Sequence, residues 1–180
     1  MRNNYLIKDD IVIIYLNRRC ENKIMECIID TDKFDLIDSY DVTWCPKWSY
    51  EANRFYVGAC KYIGLIDGKP QYKMIYLQRV LLNCKRFGEW VDHIDHDGMN
   101  NRIENLRITT SSENARNREK INANNSTGFR NVSFVSGKYI VQLQVDGKNT
   151  VLGRFYTAEE AGLYAEEMRE KYYGKFAGNS

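Results

Sequence analysis

Residues 92–117 read DHIDHDGMNNRIENLRITTSSENARN, and this stretch determines how the rest of the chain is interpreted. It contains both histidines of the chain, His93 and His96, among closely spaced carboxylates and carboxamides. Polar groups of this kind are costly to bury without hydrogen-bond partners. The stretch is therefore either an exposed loop or a functional site.

The layout of the stretch favours a site built from a strand, a loop, a second strand and a helix. Residues 90–94 are predicted to form the first strand, and Asp97-Gly98 is a turn signal. Residues 106–109 alternate apolar and polar side chains, as a half-buried strand does. Thr110 is the predicted N-cap of the helix, with Glu113 as its partner in a capping box.

Three side chains of this unit suit hydrolytic chemistry. Asp92 at the strand end and Asn114 on the helix meet around one small space if the helix packs on the two strands. Mg²⁺ or Mn²⁺ prefers such oxygen ligands, and Mg²⁺ keeps water and phosphate in its remaining positions. His93 points to the opposite face of its strand, where an imidazole can take a proton from water. The stretch therefore predicts a general base beside a divalent cation.

The same stretch resembles the HNH endonucleases, whose fold is the ββα-metal motif. The resemblance rests on Asp92-His93, Asn105 and Asn114, separated by twelve and then nine residues, and on the run from Asn101 to Arg107. The last motif position holds Asn114 in place of His. By this resemblance His93 is the general base, and Asp92 and Asn114 hold Mg²⁺ or Mn²⁺. Asn105 is implied to be a second catalytic residue that braces the loop and orients His93.

The composition of the chain limits the remaining function classes. Its 180 residues suffice for one or two domains, and a hydrophobic content of 43% supports a globular core. No apolar run reaches the length of a membrane span and no signal-peptide layout is present, which predicts a soluble, cytoplasmic protein. The five cysteines include no C-x-x-C pair, so a disulfide framework or a structural zinc site is not expected. A net charge of +2 is too small to indicate nucleic-acid binding by itself.

The first part of the chain is predicted to be rich in strands. Residues 10–16 and 24–29 are apolar runs joined by a polar segment, as in a hairpin, and residues 33–37 suit a short helical turn. Aromatic and basic side chains then interleave, which suits either DNA contact or an aromatic core with solvated basic residues. Related phage-type sequences carry a histidine where this chain has Gln78, and the next residue, Arg79, is a candidate phosphate contact.

A second unit follows a predicted linker at residues 122–127. Residues 130–134, 138–145 and 150–155 are predicted strands, with Asp146-Gly147 as the last hairpin turn. Thr157 is the predicted N-cap of a helix with Glu160 at its capping-box position, and Gly174 suits its C-terminal end. The apolar stripe of this helix consists of Ala161, Ala165, Met168 and Tyr172.

Residues 128–180 resemble the AP2 DNA-binding domain of plant transcription factors and mobile endonucleases. In that family a three-stranded antiparallel sheet lies in the DNA major groove and a helix packs behind it. The resemblance runs through residues 128–132, 138–139, 152–155 and 157–161, and it ends at Gly174. It implies DNA contacts by Arg130, Ser133, Gln142, Gln144, Asn149 and Val151. Gln and Asn can pair with adenine and Arg with guanine, whereas a structural domain with a polar sheet face is the alternative.

Together these patterns predict an α+β protein. Residues 1–121 form a strand-rich region that leads into a ββα-metal HNH unit at about 85–120, and residues 128–180 form an AP2-like sheet and helix. Arg118, predicted to share a helix face with Asn114, is a further DNA contact. The predicted function is that of a divalent-metal-dependent, site-specific DNA endonuclease of the homing type found in phages and mobile introns. Its predicted partner is double-stranded DNA, without a small-molecule cofactor and without membrane contact; the sequence leaves the oligomeric state open, and a monomer is favoured.

Two alternatives remain open. The first is a sequence-specific DNA-binding regulator with an inactive HNH unit, although decay would be expected to remove at least one of the four motif residues. The second is a zinc ion held by His93 and His96. Their i, i+3 spacing falls across a strand end and a loop, and no cysteine lies at ligand spacing nearby.

Overall fold

The protein has a strand-rich α+β architecture. Its structure is a computed structural model, which describes residues 1–18, 22–86, 88–117, 121 and 124–178. The chain divides into two compact units, Met1–Thr109 and Thr110–Ser180, each with its own hydrophobic core. The boundary predicted from the sequence lies near residue 121, and two residues of the predicted linker, Asn122 and Ala123, lie outside the described residues. Within the described part of the chain, no helix is long and apolar enough to cross a membrane.

The first unit begins with an antiparallel meander of three strands, ordered β1-β2-β3. Strand β1 is Tyr5–Lys8, β2 is Ile11–Arg18 and β3 is Lys23–Asp30. The hairpin predicted from residues 10–16 and 24–29 is confirmed as β2 and β3, whereas β1 is an additional strand. Strand β2 alternates as a half-buried strand does, with Val12, Ile14 and Leu16 fully buried.

A second antiparallel sheet, ordered β4-β5-β6, follows a 3-10 turn at Thr31–Lys33 and the short helix α1 at Phe34–Asp38. Its strands are β4 (Cys45–Ser49), β5 (Arg54–Ile66) and β6 (Lys69–Tyr76), and helix α2 (Leu77–Leu81) comes next. One hydrophobic core joins these elements to the first sheet, and it includes the fully buried Ile37, Trp44 and Leu77.

The predicted order of strand, loop, strand and helix is present around the two histidines. Strand β7 (Glu89–His93) pairs with β8 (Leu106–Thr110), and a 3-10 turn at Ile103–Asn105 lies between them. Helix α3 (Ser111–Arg116) follows, and Thr110 and Glu113 form the predicted capping box. The helix ends at Arg116, so Asn117 is its C-cap, and the predicted DNA contact Arg118 lies outside the described residues.

The second unit contains α3 and a three-stranded antiparallel sheet, ordered β11-β10-β9, with one long helix against it. The elements are β9 (Val132–Val135), β10 (Lys138–Val145), β11 (Lys148–Phe155), helix α4 (Ala158–Tyr173) and a 3-10 turn at Gly174–Phe176. Val141 and Leu143 are fully buried in the core shared with α4, as their parity along β10 predicts.

The last turn of helix α4 differs from the prediction. Ala161, Ala165 and Met168 are buried as expected, but Tyr172 is 41% exposed. Its neighbour Tyr173 packs against the core instead. The Tyr173 hydroxyl accepts a hydrogen bond from the Gln144 backbone N–H at 3.0 Å, which holds this ring rather than that of Tyr172 on the sheet.

Candidate catalytic loop

His93 is the last residue of β7 and begins the segment that joins β7 to β8, here called the catalytic loop (residues 93–105). It is only 2% exposed, and its ring centre lies 5.8 Å from that of Tyr56. The preceding residue, Asp92, is also buried. Because neighbours along a strand point to opposite faces, the predicted base and the predicted metal ligand project from opposite faces of β7.

The catalytic loop is bound to strands from both N-terminal sheets. The Ile28 backbone N–H on β3 donates to Met99 O at 3.0 Å, and Ile28 O accepts from the Asn101 N–H at 2.8 Å. On β5, Phe55 O comes so close to Gly98 that an added Cβ would lie 2.0 Å from it. The loop is therefore held between β3 and β5, and a side chain at Gly98 would displace it.

Arg102 of the catalytic loop forms ion pairs with the first sheet, β1-β2-β3. Its Nε donates to Asp30 Oδ1 at 2.9 Å, and its Nη2 donates to Asp10 Oδ2 at 2.8 Å. The backbone N–H of Ile103 donates to the other carboxylate oxygen of Asp30 at 2.7 Å. These contacts give the first sheet a role that the sequence analysis did not identify, which is to support the catalytic loop.

Asn101 is fully buried and contacts the ring of His93. Its Oδ1 lies 3.2 Å from His93 Nε2, and its Nδ2 donates to Gly98 O at 3.0 Å. Because a backbone carbonyl only accepts hydrogen bonds, the Asn101 atom that faces Gly98 must be the amide nitrogen. The Asn101 oxygen therefore faces His93, and Nε2 of the ring must carry the proton. In the neutral ring, Nδ1 then holds a lone pair.

The environment of His93 keeps its ring neutral. Burial lowers the pKa of His93 below its ordinary value, and the hydrogen bond with Asn101 and the carboxylates of Asp95, Asp92 and Asp97 offset only part of this effect. At neutral pH the imidazole is uncharged. An uncharged ring whose Nδ1 holds a lone pair is able to accept a proton.

Cys27 of β3 lies behind Asn101. The Asn101 Nδ2 is 3.5 Å from Cys27 Sγ. Burial raises the pKa of the Cys27 thiol to about 12, so the thiol stays protonated at neutral pH. The Asn101 amide, which contacts His93, therefore lies next to an uncharged thiol on its other side.

Asn105 braces the catalytic loop. Its Oδ1 accepts from the Asp95 N–H at 3.0 Å, and its Nδ2 donates to Asp95 Oδ1 and to Asn100 O, both at 2.8 Å. Burial raises the pKa of Asp95, but hydrogen bonds from the Asp97 N–H, Asn105 and Asn100 outweigh it and lower the pKa. The ring of His93 contacts the side chain of Asn101, and the predicted role of Asn105 in orienting His93 stays a prediction.

Asp92 is paired with Arg107 across β7 and β8. Arg107 Nε and Nη2 donate to Asp92 Oδ2 at 2.8 and 2.6 Å, and the side chains of Arg107 and Asp92 are 12% and 10% exposed. A carboxylate is the donor that a hard divalent cation prefers, so the chemistry of Asp92 fits its predicted role. A cation would have to share this carboxylate with the guanidinium. Arg107 was not predicted from the sequence, although a basic residue on a neighbouring strand is a signal for such a cross-strand pair.

Asn114 is the second predicted ligand of the cation. Asn114 is half-buried on α3 in the second unit, and its role as a metal ligand stays a prediction. Among the described residues, no three His, Cys, Asp or Glu side chains cluster as they would around a metal ion. A Mg²⁺ site with one or two protein oxygens does not need such a cluster. In the zinc alternative, only Nδ1 of His93 could bind the ion, since Nε2 faces Asn101.

Arg79 on α2 binds backbone carbonyls at the start of β7 and in the segment before it. Its Nη1 donates to Glu89 O at 2.8 Å, and its Nη2 donates to Cys84 O at 3.1 Å. The phosphate contact suggested for Arg79 stays a prediction. The preceding residue, Gln78, is buried, and its Oε1 has no hydrogen-bond partner among the described residues.

Five of the six AP2-derived positions share one face of the sheet in the second unit. Gln142 lies opposite Val151, and Gln144 lies opposite Asn149. Ser133 on β9 has the same parity through its pairing with β10. This polar face is opposite to the one that packs on α4.

The sixth position, Arg130, lies before β9 and makes contacts inside the second unit. Its Nη2 donates to Arg116 O at 2.9 Å, and its Nη1 lies 3.5 Å from Ala177 O. Both contacts attach the segment before β9 to other parts of the unit. Its DNA contact stays a prediction, as do those of the five sheet residues.

Arg154 is an exposed residue on the polar face that the sequence analysis missed. Strand β11 carries one extra residue between Val151 and Gly153, because these pair with consecutive residues of β10. This bulge reverses the alternation, so Arg154 shares a face with Val151. Simple alternation from Val151 would instead have turned Arg154 toward the helix, and the sequence contains no direct sign of the bulge.

Residues 87–116 match the HNH endonuclease family, whose nucleases generally use divalent metal ions. The chain is also similar to an uncharacterized HNH endonuclease of Acanthamoeba polyphaga mimivirus, with 26% identity over 176 residues that cover 97% of this chain and 84% of the relative. No solved structure matches the chain. The two matches support a DNA-cleaving hydrolase, and the matched segment contains all four motif residues.

Proposed function

We propose that this hydrolase cuts a phosphodiester bond of double-stranded DNA with His93 as its general base and with Mg²⁺ or Mn²⁺ as its cation. The observation that carries the proposal is the contact between His93 Nε2 and Asn101 Oδ1. It leaves Nδ1 of a buried, neutral ring as a proton acceptor. A positioned general base contributes roughly 10²–10⁴-fold to a reaction rate.

In the proposed reaction, His93 Nδ1 takes a proton from a water molecule. The water oxygen forms a bond to phosphorus while one P–O ester bond breaks, and the leaving oxygen keeps the electron pair of that bond and takes a proton from solvent. The imidazolium that forms still donates from Nε2 to Asn101, and the carboxylate of Asp95 favours its positive charge. Asn101 is held by Gly98 O and by the backbone of Ile28, so the ring needs no rotation before it accepts the proton.

Asp92 is the proposed ligand of the cation in the first unit. Its ion pair with Arg107 holds the carboxylate in a fixed position on β7. When bound, a divalent cation neutralises charge on the phosphate and on the leaving oxygen. The proposed role of Asn114 as a second ligand rests on its oxygen donor, on its predicted place on the helix and on the resemblance.

The second unit is proposed to select the DNA site, as in a homing-type endonuclease. Support comes from the amides of Gln142, Gln144 and Asn149 on one sheet face, since such groups pair with base edges in the major groove. The exposed Arg154 adds a guanidinium to the same face. The alternative of a DNA-binding regulator is disfavoured by the family match at residues 87–116.

A supercoiled plasmid population with a randomised insert tests the proposed activity. Full-length protein with Mg²⁺ should produce nicked or linear DNA, and EDTA should abolish the product. Nicked circles alone would indicate that one active centre cuts one strand. Selective binding of some inserts with no cleavage in either Mg²⁺ or Mn²⁺ would contradict the proposal and favour the regulator.

A further inference from the structure

Strands β5 and β6 continue beyond their sheet as a two-stranded ribbon. Strand β4 pairs with β5 only between Arg54 and Gly58. From Cys60 onward β5 pairs with β6 alone, up to the turn at Asp67-Gly68. This segment, here called the ribbon (residues 60–74), spans about 20 Å, because a strand rises about 3.3 Å per residue.

The ribbon exposes an unusual amount of apolar surface. Tyr62 and Tyr72 lie directly opposite each other with ring centres 5.7 Å apart, and they are 52% and 61% exposed. Ile63, Leu65 and Ile66 near the turn are also exposed. By the strand register, Leu65 lies on the same face as Tyr62 and Tyr72, so these three side chains share an exposed apolar face. An isolated two-stranded ribbon is only marginally stable in water, and an exposed apolar patch marks an interaction site. The ribbon therefore has the surface of an element that binds a partner.

The charge of the ribbon indicates what that partner is. Lys61 lies directly opposite Lys73, and Lys69 follows the turn, whereas Asp67 is the one acidic residue of the segment. Like charges at directly opposed positions destabilise a strand pair. Among the described residues, none of the three lysines forms an ion pair, and the Lys61 ammonium lies 4.4 Å from the ring centre of Tyr40. An external polyanion would relieve this repulsion.

We propose that the ribbon is a DNA-binding arm that enters the major groove of the duplex this enzyme cuts. The major groove is about 12 Å wide and admits a two-stranded ribbon. The tyrosine face and the apolar turn then contact base edges, where apolar side chains meet thymine methyl groups. The lysines carry their charge on flexible four-carbon stems and reach the flanking phosphates. This proposal depends on the proposed DNA substrate. The arm consists of residues outside the catalytic loop and outside the polar face of the second unit.

The test measures DNA binding by full-length protein that carries His93→Ala, so that cleavage does not interfere. The affinity for a labelled duplex is measured as a function of salt by fluorescence anisotropy. Lys61→Gln with Lys73→Gln should weaken binding and reduce the log–log salt slope by about 2, because each neutralised phosphate contributes about 0.9. Lys61→Arg with Lys73→Arg should restore the slope. Lys8→Gln with Lys23→Gln, which removes two exposed lysines from the first sheet, is the matched control and should leave the slope unchanged.

Tyr72→Ala provides a second variant that leaves the charge intact. It should weaken DNA binding without a change in the salt slope, and thermal melting curves establish that each variant is folded. A wild-type salt slope and affinity in both the Lys61/Lys73 glutamine variant and Tyr72→Ala would overturn the proposal. So would a concentration-dependent dimer that Tyr72→Ala dissociates in sedimentation experiments, since the ribbon would then join two copies of the chain. If the ribbon variants lose DNA affinity while the wild-type protein cuts no DNA, the arm stands and the proposed nuclease activity fails.

Discussion

The catalytic loop and the polar face of the second unit are both rich in amides, yet they use them differently. In the loop, Asn101 and Asn105 form hydrogen bonds to residues of the first unit at 2.8–3.2 Å. On the polar face, Gln144 and Asn149 are exposed, and their side chains form no hydrogen bond to another described residue. Amides that are satisfied internally fix a reactive geometry, whereas exposed amides remain available for a partner. Under the proposed function, the two regions therefore separate chemistry from recognition.

The largest expected effect is on the chemical step. His93→Ala should lower the rate of DNA cleavage by roughly 10²–10⁴-fold and leave DNA affinity nearly unchanged. The measurement is single-turnover cleavage at saturating protein, together with anisotropy for binding. His96→Asn is the matched control, because it removes the other histidine of the chain and Asn tolerates the backbone φ of 62° at this position, so its rate should stay near that of the wild type. Equal rates for the two variants would remove His93 from the reaction.

Substitution of Arg107 tests whether Asp92 is a ligand of the cation. Arg107→Leu leaves a buried carboxylate without its partner and should lower the free energy of unfolding by about 3–5 kcal/mol. Mg²⁺ should then stabilise this variant more than the wild type, since a cation that binds only the folded state stabilises it. Urea unfolding with and without Mg²⁺ measures both effects.

The double variant Arg107→Leu with Asp92→Asn is the control for this experiment. It lacks the carboxylate, so Mg²⁺ should give it little stabilisation. If Mg²⁺ stabilises the wild type and both variants equally, Asp92 is not a ligand of the cation.

The orienting role of Asn101 is tested with two variants of similar size. Asn101→Asp keeps an oxygen acceptor for His93 Nε2, whereas Asn101→Leu does not, and both lose the donor to Gly98. The leucine variant should lose roughly 10–100-fold in kcat with KM nearly unchanged, as is typical for partners that orient a site residue. The aspartate variant should retain more activity than the leucine variant. Equal losses at a temperature where both are folded would show that Asn101 serves packing alone.

A smaller effect is expected on the polar face. Gln144→Ala should relax the preference at one base pair by about 1–3 kcal/mol of discrimination and leave the cleavage rate at saturation near wild type. Selection of cleaved inserts from the randomised plasmid population measures the preference. Glu167→Gln, on the exposed side of α4, is the control. An unchanged sequence preference in Gln144→Ala would show that Gln144 does not recognise a base.

The sequence was sufficient where short-range patterns decide the structure. The capping box of Thr110 and Glu113 and the burial of Val141 and Leu143 follow from local spacing, and the structure confirms them. The contact of Asn101 with His93 was not predictable in the same way. Several amides lie near His93 in sequence, and only the docking of the loop on β3 decides which one faces the ring.

Two further features depend on long-range structure. The bulge in β11 that exposes Arg154 arises from its pairing with β10, which a period of two cannot reveal. The exposure of Tyr172 follows from the contact of Tyr173 with Gln144 across the sheet. The proposed ligands Asp92 and Asn114 were identified from their oxygen chemistry and from motif spacing, and their roles stay predictions for the Mg²⁺ experiments to test.

The protonation state of His93 tests the central claim most directly. Long-range ¹H–¹⁵N correlation spectra of the metal-free protein report which ring nitrogen carries a proton, and the chain has only two histidines, which His93→Ala distinguishes. At pH 6.5, about the ordinary pKa of an imidazole, we expect His93 to remain neutral, because burial lowers its pKa. We expect its proton on Nε2 and a bare Nδ1. A ring protonated on Nδ1 instead, or charged at this pH, would contradict the claim that the loop holds His93 ready to take a proton from water.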